Sequence, residues 1–271
     1  MTRDKQAGVS LLNVLAVLAV GTGLVQVMLR DQDVAVQRLE RTRSSAQAHA
    51  LARSGATSVA VALRRDLVEA PDSDHLGEVW AQVAQEQIEL EFGQFEVSVA
   101  DVRGKFNLNA LQPAALAEQR VFIALLSALD LPEVLASQIT QIIERNGPLR
   151  GSGALLRFGI AQSDYDRLEP HVTATAIRGP LNLNAVTEPL MAALLRNPSA
   201  ARGLVARRDA KGFLNTSDLA ALGVPLPPLA GFTSDVFDTK TVAAVGKARA
   251  VLARRFIRDR DTGTVQGNAT Q

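Results

Sequence analysis

The feature that most constrains this chain is an apolar run over residues 9–29 that contains no charged side chain. Arg3 and Lys5 precede the run, and Arg30 and Asp31 follow it. At about 1.5 Å per residue, a helix over this run spans roughly 30 Å, the thickness of the hydrocarbon core of a bilayer. Because a helix satisfies its own backbone polar groups in lipid, the run predicts a transmembrane helix with its short basic end in the cytoplasm.

Two ordinary interpretations compete with this one. A cleaved signal peptide would have a shorter apolar region, about 7–15 residues, followed by a small-residue cleavage site. Here the run is longer, and no Ala-x-Ala break precedes Arg30. An ordinary single-span anchor accounts for the helix but gives no role to Gly8, which lies where the basic end meets the apolar run.

A short basic leader, a Gly and an apolar helix that continues as an amphipathic one resemble a type IV prepilin. In that family a prepilin peptidase cuts after the Gly and methylates the new N-terminus. The resemblance implies cleavage between Gly8 and Val9, with Val9 as the N-methylated first residue.

Position 13 departs from the common prepilin pattern. Most prepilins carry Glu four residues after the first mature residue, and this chain has Asn13 there. Within the family the exception is the K-type minor pseudopilin of type II secretion, which sits at the pseudopilus tip. Asn13 is therefore interpreted as the marker of a tip position; the alternative is a tolerated polar residue bonded within its own helix.

Composition sets the broad class of the protein. The 271 residues are enough for one or two domains, and 47% hydrophobic against 21% charged residues indicates a folded chain. A net charge of +1 gives no general basis for nucleic-acid binding. The lack of cysteine excludes disulfides and thiolate metal sites.

Residues 30–70 predict the upper half of the long helix, which ends at Pro71. One helical face is formed by positions that recur every four residues: Leu51, Gly55, Val59, Leu63 and Leu67. This face is expected to pack on a globular domain. The charged residues expected largely off it are Arg53, Arg64, Arg65 and Asp66.

Two pairs of strands are expected. Residues 88–92 and 95–99, with Gly93 and Gln94 between them, alternate apolar and polar residues and predict a β-hairpin with one buried face. Residues 234–245 and 248–257, around Gly246 and Lys247, are expected to form a second pair because the family resemblance runs to Arg258, although the Ala- and Arg-rich second arm could equally be helical on propensity. Trp80 is expected to anchor a core, and residues 259–271 to be a mobile tail.

A short motif occurs twice in the chain. Residues 107–110 read Asn-Leu-Asn-Ala, and residues 182–185 repeat this sequence. Since Asn side chains bond to the backbone of turns, the motif is interpreted as a structural strand end that leads into a helix.

These motifs together resemble the K-type minor pseudopilin of the type II secretion system, over nearly the whole chain. The residues that carry the resemblance are Trp80, Asp101, Gly104, Phe106, Asn107, Asn109, Asn182 and Asn184. It implies an α+β fold with a long N-terminal transmembrane and amphipathic helix, a pilin-like α/β domain with an antiparallel sheet, and an inserted all-α domain. The implied segments are a leader (1–8), transmembrane helix (9–29), periplasmic half-helix (30–70), pilin-like domain (71–111 and 179–258), helical insert (112–178) and mobile tail (259–271).

The resemblance also implies a function and partners. The chain would form a tip complex with the I- and J-type minor pseudopilins and initiate pseudopilus assembly for protein export across the outer membrane. It would be processed by prepilin peptidase, cross the inner membrane once and place its globular part in the periplasm. Secreted substrates or the secretin are further candidate partners.

Two other functions stay open at this stage. One is a minor pilin of a type IV pilus. The other is a membrane-anchored helix-hairpin-helix protein that binds DNA, since residues 158–160 and 213–219 resemble such units. Against DNA, Asp164, Asp166 and Glu169 crowd the first unit, where phosphate binding needs basic residues. No nucleic acid is therefore expected as a partner.

The sequence contains no recognisable catalytic constellation, so no enzyme activity is expected. Relatives often bind calcium through Asp-rich loops of the helical insert. The corresponding loop here, residues 142–153, has Glu144 as its one acidic residue, beside Arg145 and Arg150. Calcium takes about six to eight oxygen ligands, usually with several carboxylates, so no metal or other cofactor is expected. Asp72, Asp74 and His75 are expected in a solvated loop.

Overall fold

The computed structural model describes residues 4–269, and the side chains of residues 4–12 and 85–87 lie outside the description. The helices are α1 (Asp4–Glu69), α2 (Val79–Gln82), α3 (Leu116–Ala128), α4 (Val134–Asn146), α5 (Ala154–Arg157), α6 (Gln162–Leu168), α7 (Glu188–Leu195), α8 (Pro198–Lys211) and α9 (Thr216–Ala221). The strands are β1 (Gln85–Leu90), β2 (Gly93–Asp101), β3 (Phe106–Asn107), β4 (Val172–Thr173), β5 (Leu181–Asn182), β6 (Ala230–Gly231), β7 (Val236–Val245), β8 (Ala248–Asp259) and β9 (Thr264–Ala269). The mixed fold with a long N-terminal helix confirms the predicted α+β class.

Helix α1 is continuous from the apolar run into the globular part of the protein. Its apolar segment is exposed along the described residues, as expected of a membrane anchor. In the upper half, Gly55, Val59 and Leu63 of the predicted face are buried. Gly55 lies so close to the sheet that a Cβ atom there would come within 2.5 Å of the Phe95 ring. A larger residue at this position would push the helix off the sheet.

A five-stranded antiparallel sheet in the order β1-β2-β7-β8-β9 packs one face on α1. Trp80 and Phe237 are both buried in this core, with ring centroids 4.9 Å apart. The β7–β8 turn at Gly246 lies beside Ser44, and the other end of the hairpin reaches Asp66 through Arg258. Ten residues of strand and 22 residues of helix both cover roughly 33 Å, so the sheet lies along α1 for its full strand length.

The strand predictions are confirmed in part. The β7–β8 pair is as predicted, but the first hairpin turns at Glu91 and Phe92, because Leu90 pairs with Gly93. The predicted mobile tail is wrong in its central part. Residues 264–269 form β9, an edge strand paired with β8, because Val265 packs on the core between α1 and the sheet.

Helices α3 to α9 form a separate body between β2 and β7. We call it the helical body and define it as residues 102–232. The predicted insert, residues 112–178, contains only half of it. Helices α7, α8 and α9 follow the second Asn motif, and α7 packs on both α3 and α8. One apolar core, with Phe122, Leu155, Leu190 and Leu204 fully buried, joins the two halves. The boundary at residue 178 is therefore wrong, because both halves share one core.

The helical body consists of two similar units. The first begins with β3 and closes with the parallel strand β4, and the second begins with β5 and closes with the parallel strand β6. In each unit the first Asn of the motif accepts a hydrogen bond from the backbone N–H of the second, at 3.1 Å in unit one and 3.0 Å in unit two. The repeated motif therefore marks two copies of one structural unit.

Candidate functional site

The predicted processing site lies at the edge of the described part of the chain. Gly8 and Val9 fall within residues 4–12, whose helical backbone alone is described. The cleavage assignment therefore stays a prediction. Asn13 is exposed on α1, remote from the globular part.

The motif residues meet at the membrane-distal end of α1. We call this region the junction and define it as Asp66, Asp74, Glu78, Trp80, Asp101, Arg103, Asn182, Ser234, Asp235, Arg258 and Arg260. It joins the last turns of α1, the loop after it, the end of β2, strand β5 and the open end of the β7–β8 hairpin. The junction therefore connects the helix, the sheet and the helical body.

Arg258 is the centre of the junction and is almost fully buried. Its guanidinium group donates to Asp66 Oδ2 at 2.7 Å and to the Ser234 carbonyl at 2.8 Å, and it also binds Asp74. Arg260 contacts the other oxygen of Asp74. The negative charges of Asp66, on α1, and Asp74, in the following loop, are thus balanced by the positive charges of Arg258 and Arg260 at the end of β8.

Asp101 links the sheet to the helical body. Its Oδ2 accepts from Asn182 Nδ2 at 2.8 Å and from the Ser234 hydroxyl, and its Oδ1 accepts from the Arg103 backbone N–H at 2.7 Å. Asn182 also donates to the Asp74 carbonyl at 2.9 Å. Gly104 follows, and a Cβ there would lie 2.8 Å from the Ala185 carbonyl oxygen. Only glycine allows the two Asn motifs to approach this closely.

Arg103 ties the two units of the helical body to the start of β7. Its guanidinium group binds Asp235 at 2.6 and 2.9 Å and donates to the Arg178 carbonyl at 2.9 Å. Paired hydrogen bonds of this kind fix orientation as well as position. The connection between the units is therefore held to the sheet by a charged bridge.

The loop after α1 is ordered around Glu78. This carboxylate accepts from Trp80 Nε1 at 2.8 Å and from the His75 backbone N–H at 3.1 Å, and it contacts His75 Nε2 at 3.2 Å. The His75 ring stacks on Phe213 with centroids 4.9 Å apart. The prediction of a solvated loop is wrong for Asp74, which is fully buried because the two arginines bind its carboxylate.

Burial changes the acidity of the junction carboxylates. It raises the pKa of Asp101 to about 6, although hydrogen bonds from Ser234 and Asn182 act in the opposite direction. Burial also raises the pKa of Glu78, against the hydrogen bond from Trp80. For Asp66 burial likewise raises the pKa, and Arg258 opposes it.

We expect Asp101 to make folding stability depend on pH. An unfolded Asp has a pKa near 3.9, so the folded state binds the proton more tightly, and this stabilising contribution is present below about pH 4 and lost as the pH rises through about 6. The change is on the order of 2 kcal/mol after allowance for partial exposure. In urea titrations from pH 4 to 7, Asp101→Asn should reduce the decrease without abolishing it, because burial also raises the pKa of Asp74 to about 6, whereas the exposed Asp72→Asn should retain the full decrease. An unchanged slope in Asp101→Asn would contradict this assignment.

The second Asn of each motif clamps a distant backbone segment. Asn109 accepts from the Leu149 N–H at 2.8 Å and donates to the Leu149 carbonyl at 2.9 Å. Asn184 makes the same pair with Leu214, at 2.6 and 3.3 Å. Both amides are buried, so each clamp fixes the loop before a short helix within its own unit.

Three carboxylates of the junction are close enough to hold a cation: Asp66, Asp74 and Glu78. Arg258 and Arg260 already match the first two, and Trp80 and His75 donate to the third. The donor set therefore fits an ion-pair network better than a metal. In the loop of residues 142–153, Leu149 is buried in the core. The loop is therefore packed on the protein and is not wrapped around a cation.

In the second of the two segments that resemble helix-hairpin-helix units, the nearby positive charges are paired within the protein. Arg207 and Lys211 bind the buried Asp218 at 2.6 and 2.8 Å. The first N–H groups of α8 face Asn197, whose side chain accepts from Ala200 N at 3.1 Å. This arrangement stabilises the helices and leaves little for a phosphate group to bind.

Sequence reasoning missed the ion pairs of the junction, although two signals were present. Asp66 follows Val59 and Leu63 at helical spacing, on the buried face rather than off it as predicted. Arg258 shares the inward phase of β8 with Phe256, so a charged residue points towards the core. A charged residue at an inward position needs a partner of opposite charge. The sequence does not indicate that Asp66 and Arg258 are the partners of each other.

Comparison with known proteins agrees with this architecture. A sequence model of the family described as type II secretion system (T2SS), protein K, matches residues 181–240. Type II secretion system protein K of Pseudomonas aeruginosa is 28% identical, with 96% of this chain and 91% of that protein aligned. The protein of the same name from Klebsiella pneumoniae is 27% identical, with 70% and 69% aligned.

A solved structure has the same fold. It is the GspK-GspI-GspJ complex from the type 2 secretion system of enterotoxigenic Escherichia coli, of which one chain matches with a TM-score of 0.64 and 18% identity. The match covers 86% of this chain and 99% of that chain. The matched family segment includes Asn182, Asn184 and Ser234, three residues of the second unit and the junction. In sequence over nearly its whole length, and in fold, this chain is therefore similar to type II secretion system protein K.

Proposed function

We propose that this chain is a minor pseudopilin that caps the pseudopilus tip, in a complex with I- and J-type minor pseudopilins, and initiates pseudopilus assembly. Its α1 anchor crosses the inner membrane, and its sheet and helical body lie in the periplasm. The solved structure that shares the fold is of a GspK-GspI-GspJ complex, which supports the choice of partners. The chain acts by binding, as a structural subunit, rather than by catalysis.

The position of the helical body carries this proposal. Asn182 of this body donates to Asp101 and to the Asp74 carbonyl, which holds the body at the end of α1 farthest from the anchor. From residue 29 to residue 66, a helix rises about 55 Å. The helical body therefore lies at the end of α1, where the next subunit of a filament would have to stack. This arrangement favours a terminal subunit over a repeating one.

Co-purification tests the proposed assembly. The full-length chain, expressed with the I- and J-type pseudopilins of the same organism, should be recovered with both in one complex after size-exclusion chromatography in detergent. Recovery with type IV pilus subunits or with DNA instead would contradict the proposal. The secretin and secreted substrates are secondary partners, to be sought only once the three-subunit complex has been isolated.

We expect prepilin peptidase to cut after Gly8, where the basic leader meets the apolar run. A glycine lets the backbone fit closely in a peptidase site, and a bulky side chain would obstruct it. Mass spectrometry of the mature protein should find N-methyl-Val9. Gly8→Leu should abolish processing, whereas the conservative Val9→Ile should be processed. Normal cleavage of Gly8→Leu would show that the site lies elsewhere.

Asn13 supports the tip position through its lack of charge. A carboxylate at this depth in lipid would need a cationic partner or a proton, whereas an amide makes no such demand on a neighbouring subunit. Asn13→Glu should leave processing intact but move the subunit into the pseudopilus shaft or disturb the complex. Labelled protein imaged on overexpressed pseudopili measures this. Regular decoration of the shaft by the unmodified protein would rule out the tip position.

A further inference from the structure

The helical body is joined to the sheet through two neighbouring strand ends. The chain enters the body after Asp101, the last residue of β2, and returns to the sheet at Val236, the first residue of β7. Because Asp101 pairs with Phe237 in the sheet, the two connections lie side by side. A few residues at adjacent strand ends can act as a hinge about which a whole body turns.

The helical body and the rest of the protein have separate apolar cores. The core of the body lies within residues 106–232 and includes Phe122 and Leu190. The apolar clusters between α1 and the sheet include Leu63 and Phe237, and no described residue belongs to both cores. Two bodies without a shared apolar core are expected to move relative to each other unless other contacts hold them. The polar groups at the two connections therefore decide how the helical body is held.

Three side chains join the connections to the body. We call them the latch and define it as Asp101, Asn182 and Ser234. Asn182 donates to Asp101 Oδ2 at 2.8 Å and to the Ser234 hydroxyl at 3.2 Å, and this hydroxyl donates to the same carboxylate oxygen. The Ser234 backbone N–H donates to Asp74 Oδ2 at 2.6 Å. One carboxylate, that of Asp101, thus accepts the side-chain bonds that connect both strand ends to the body.

The charged groups around the latch do not balance. Carboxylates reach this region from α1, from the following loop and from β2, and two guanidinium groups reach it from the end of β8. The carboxylates are those of Asp66, Asp74, Glu78 and Asp101, and the guanidinium groups are those of Arg258 and Arg260. Arg103 is paired with Asp235, and burial lowers the pKa of His75, which adds no charge near pH 7. Full ionisation therefore leaves a surplus of negative charge, which a bound proton reduces.

We propose that the latch is a proton-controlled hinge, which holds the helical body when Asp101 is protonated and releases it to turn when Asp101 is ionised. A protonated Asp101 can donate from Oδ2 to the Ser234 hydroxyl and still accept from Asn182. An ionised Asp101 faces the Asp74 carboxylate without a cation of its own, because Arg258 and Arg260 bind Asp66 and Asp74. The inference does not depend on the identity of any partner subunit.

The direction of the pH dependence follows from burial. Burial raises the pKa of Asp101 to about 6, and the charge of Asp74 acts in the same direction. In a released body this carboxyl meets water, where the pKa of Asp is about 3.9. The held state therefore binds the proton more tightly. The ratio of held to released molecules should be highest below about pH 4 and should fall as the pH rises through about 6, by up to about a hundredfold for a pKa difference of two units.

Distances between two spin labels test the hinge, because the natural chain has no cysteine. The pair Thr57→Cys/Gln138→Cys places one label on α1 and one on α4 of the helical body, both at exposed positions. In the full-length chain in detergent, the distance distribution should be narrow at pH 4 to 5 and should gain a second component between pH 6 and 8. The control pair Thr57→Cys/Lys240→Cys, with both labels outside the body, should give one distance at every pH.

Three variants in the labelled chain identify the group that titrates. Asp101→Asn cannot ionise and should remove most of the change with pH. Ser234→Ala removes a hydrogen bond that lowers the pKa of Asp101, so it should move the transition to higher pH by about half a unit or more. His75→Gln should leave the transition in place, because the His75 ring stacks on Phe213 outside the latch.

The outcomes decide the proposal whether or not each variant folds, which the fluorescence of Trp80 reports. A single distance from pH 4 to 8 in the chain with its natural latch would overturn the hinge. A transition that Ser234→Ala leaves at the same pH, or that His75→Gln abolishes, would overturn the assignment to Asp101. A transition that shifts upward in Ser234→Ala supports it even where Asp101→Asn does not fold. None of these results bears on the tip complex, which co-purification tests separately.

Discussion

Arg258→Met should destabilise the protein by about 3–5 kcal/mol, the range for removing one partner from a buried ion pair. Arg258 is 1% exposed and contacts Asp66, Asp74 and the Ser234 carbonyl. Methionine fills similar space but leaves two carboxylates buried near each other, with only Arg260 nearby. The loss should therefore come from uncompensated charge rather than from a cavity.

The measurement is urea unfolding of the purified chain in detergent, followed by the fluorescence of Trp80, the one tryptophan of the sequence. Trp80 lies at the junction and packs on Phe237, so its emission reports on this region. The matched control is Arg249→Met, at an exposed position of the same strand, which should cost less than about 0.5 kcal/mol.

A rescue experiment identifies the physical cause. Adding Asp66→Asn to Arg258→Met removes one of the unmatched charges and should recover part of the lost stability. If Arg258→Met cost less than 1 kcal/mol, or if the added substitution lowered stability further, the ion pair would not be what holds the junction together.

The parts of the fold that sequence reasoning predicted are those with a local signal. The uncharged run gives the anchor, and the alternation of residues 88–99 gives the β1–β2 hairpin. Likewise, the repeated Asn-Leu-Asn-Ala gives the start of each unit. In each case neighbouring residues determine the structure, so a short window of sequence contains the information.

The parts that sequence reasoning missed depend on contacts between distant residues. Asp66 and Arg258 are 192 positions apart, and neither residue alone indicates which charge it meets. The helices after residue 187 share a core with α3, which no local pattern shows. Strand β9 has a polar sequence typical of a tail and becomes a strand because β8 offers an open edge.

The candidate site follows the same rule. The Asn residues were recognised as structural from their repetition, but their partners Leu149 and Leu214 were not. Each partner lies 30 or 40 residues away in a loop of no special composition. When a side-chain amide bonds to a backbone segment, the sequence shows the amide but not its partner. The partner has no characteristic residue type, because any residue except proline can supply both the backbone N–H and the carbonyl.

Asn184→Ala should cost about 2–6 kcal/mol, because it leaves the N–H and carbonyl of Leu214 unpaired inside the core, at about 1–3 kcal/mol for each group. Asn109→Ala should cost a similar amount, since the same two bonds reach Leu149 in the first unit. The control Asn146→Ala removes an exposed amide that bonds within its own helix, and it should change stability by less than about 0.5 kcal/mol.

Hydrogen exchange can separate the two clamps, because it reads one amide at a time. Asn184→Ala should speed exchange of the Leu214 amide and leave that of Leu149 protected, and Asn109→Ala should do the reverse. This crossed result is expected because each asparagine reaches only its own unit. If both variants exposed both amides equally under native conditions, the two units would open together, and the clamps would not be local. If neither amide changed, the backbone of these loops would be held by the core alone.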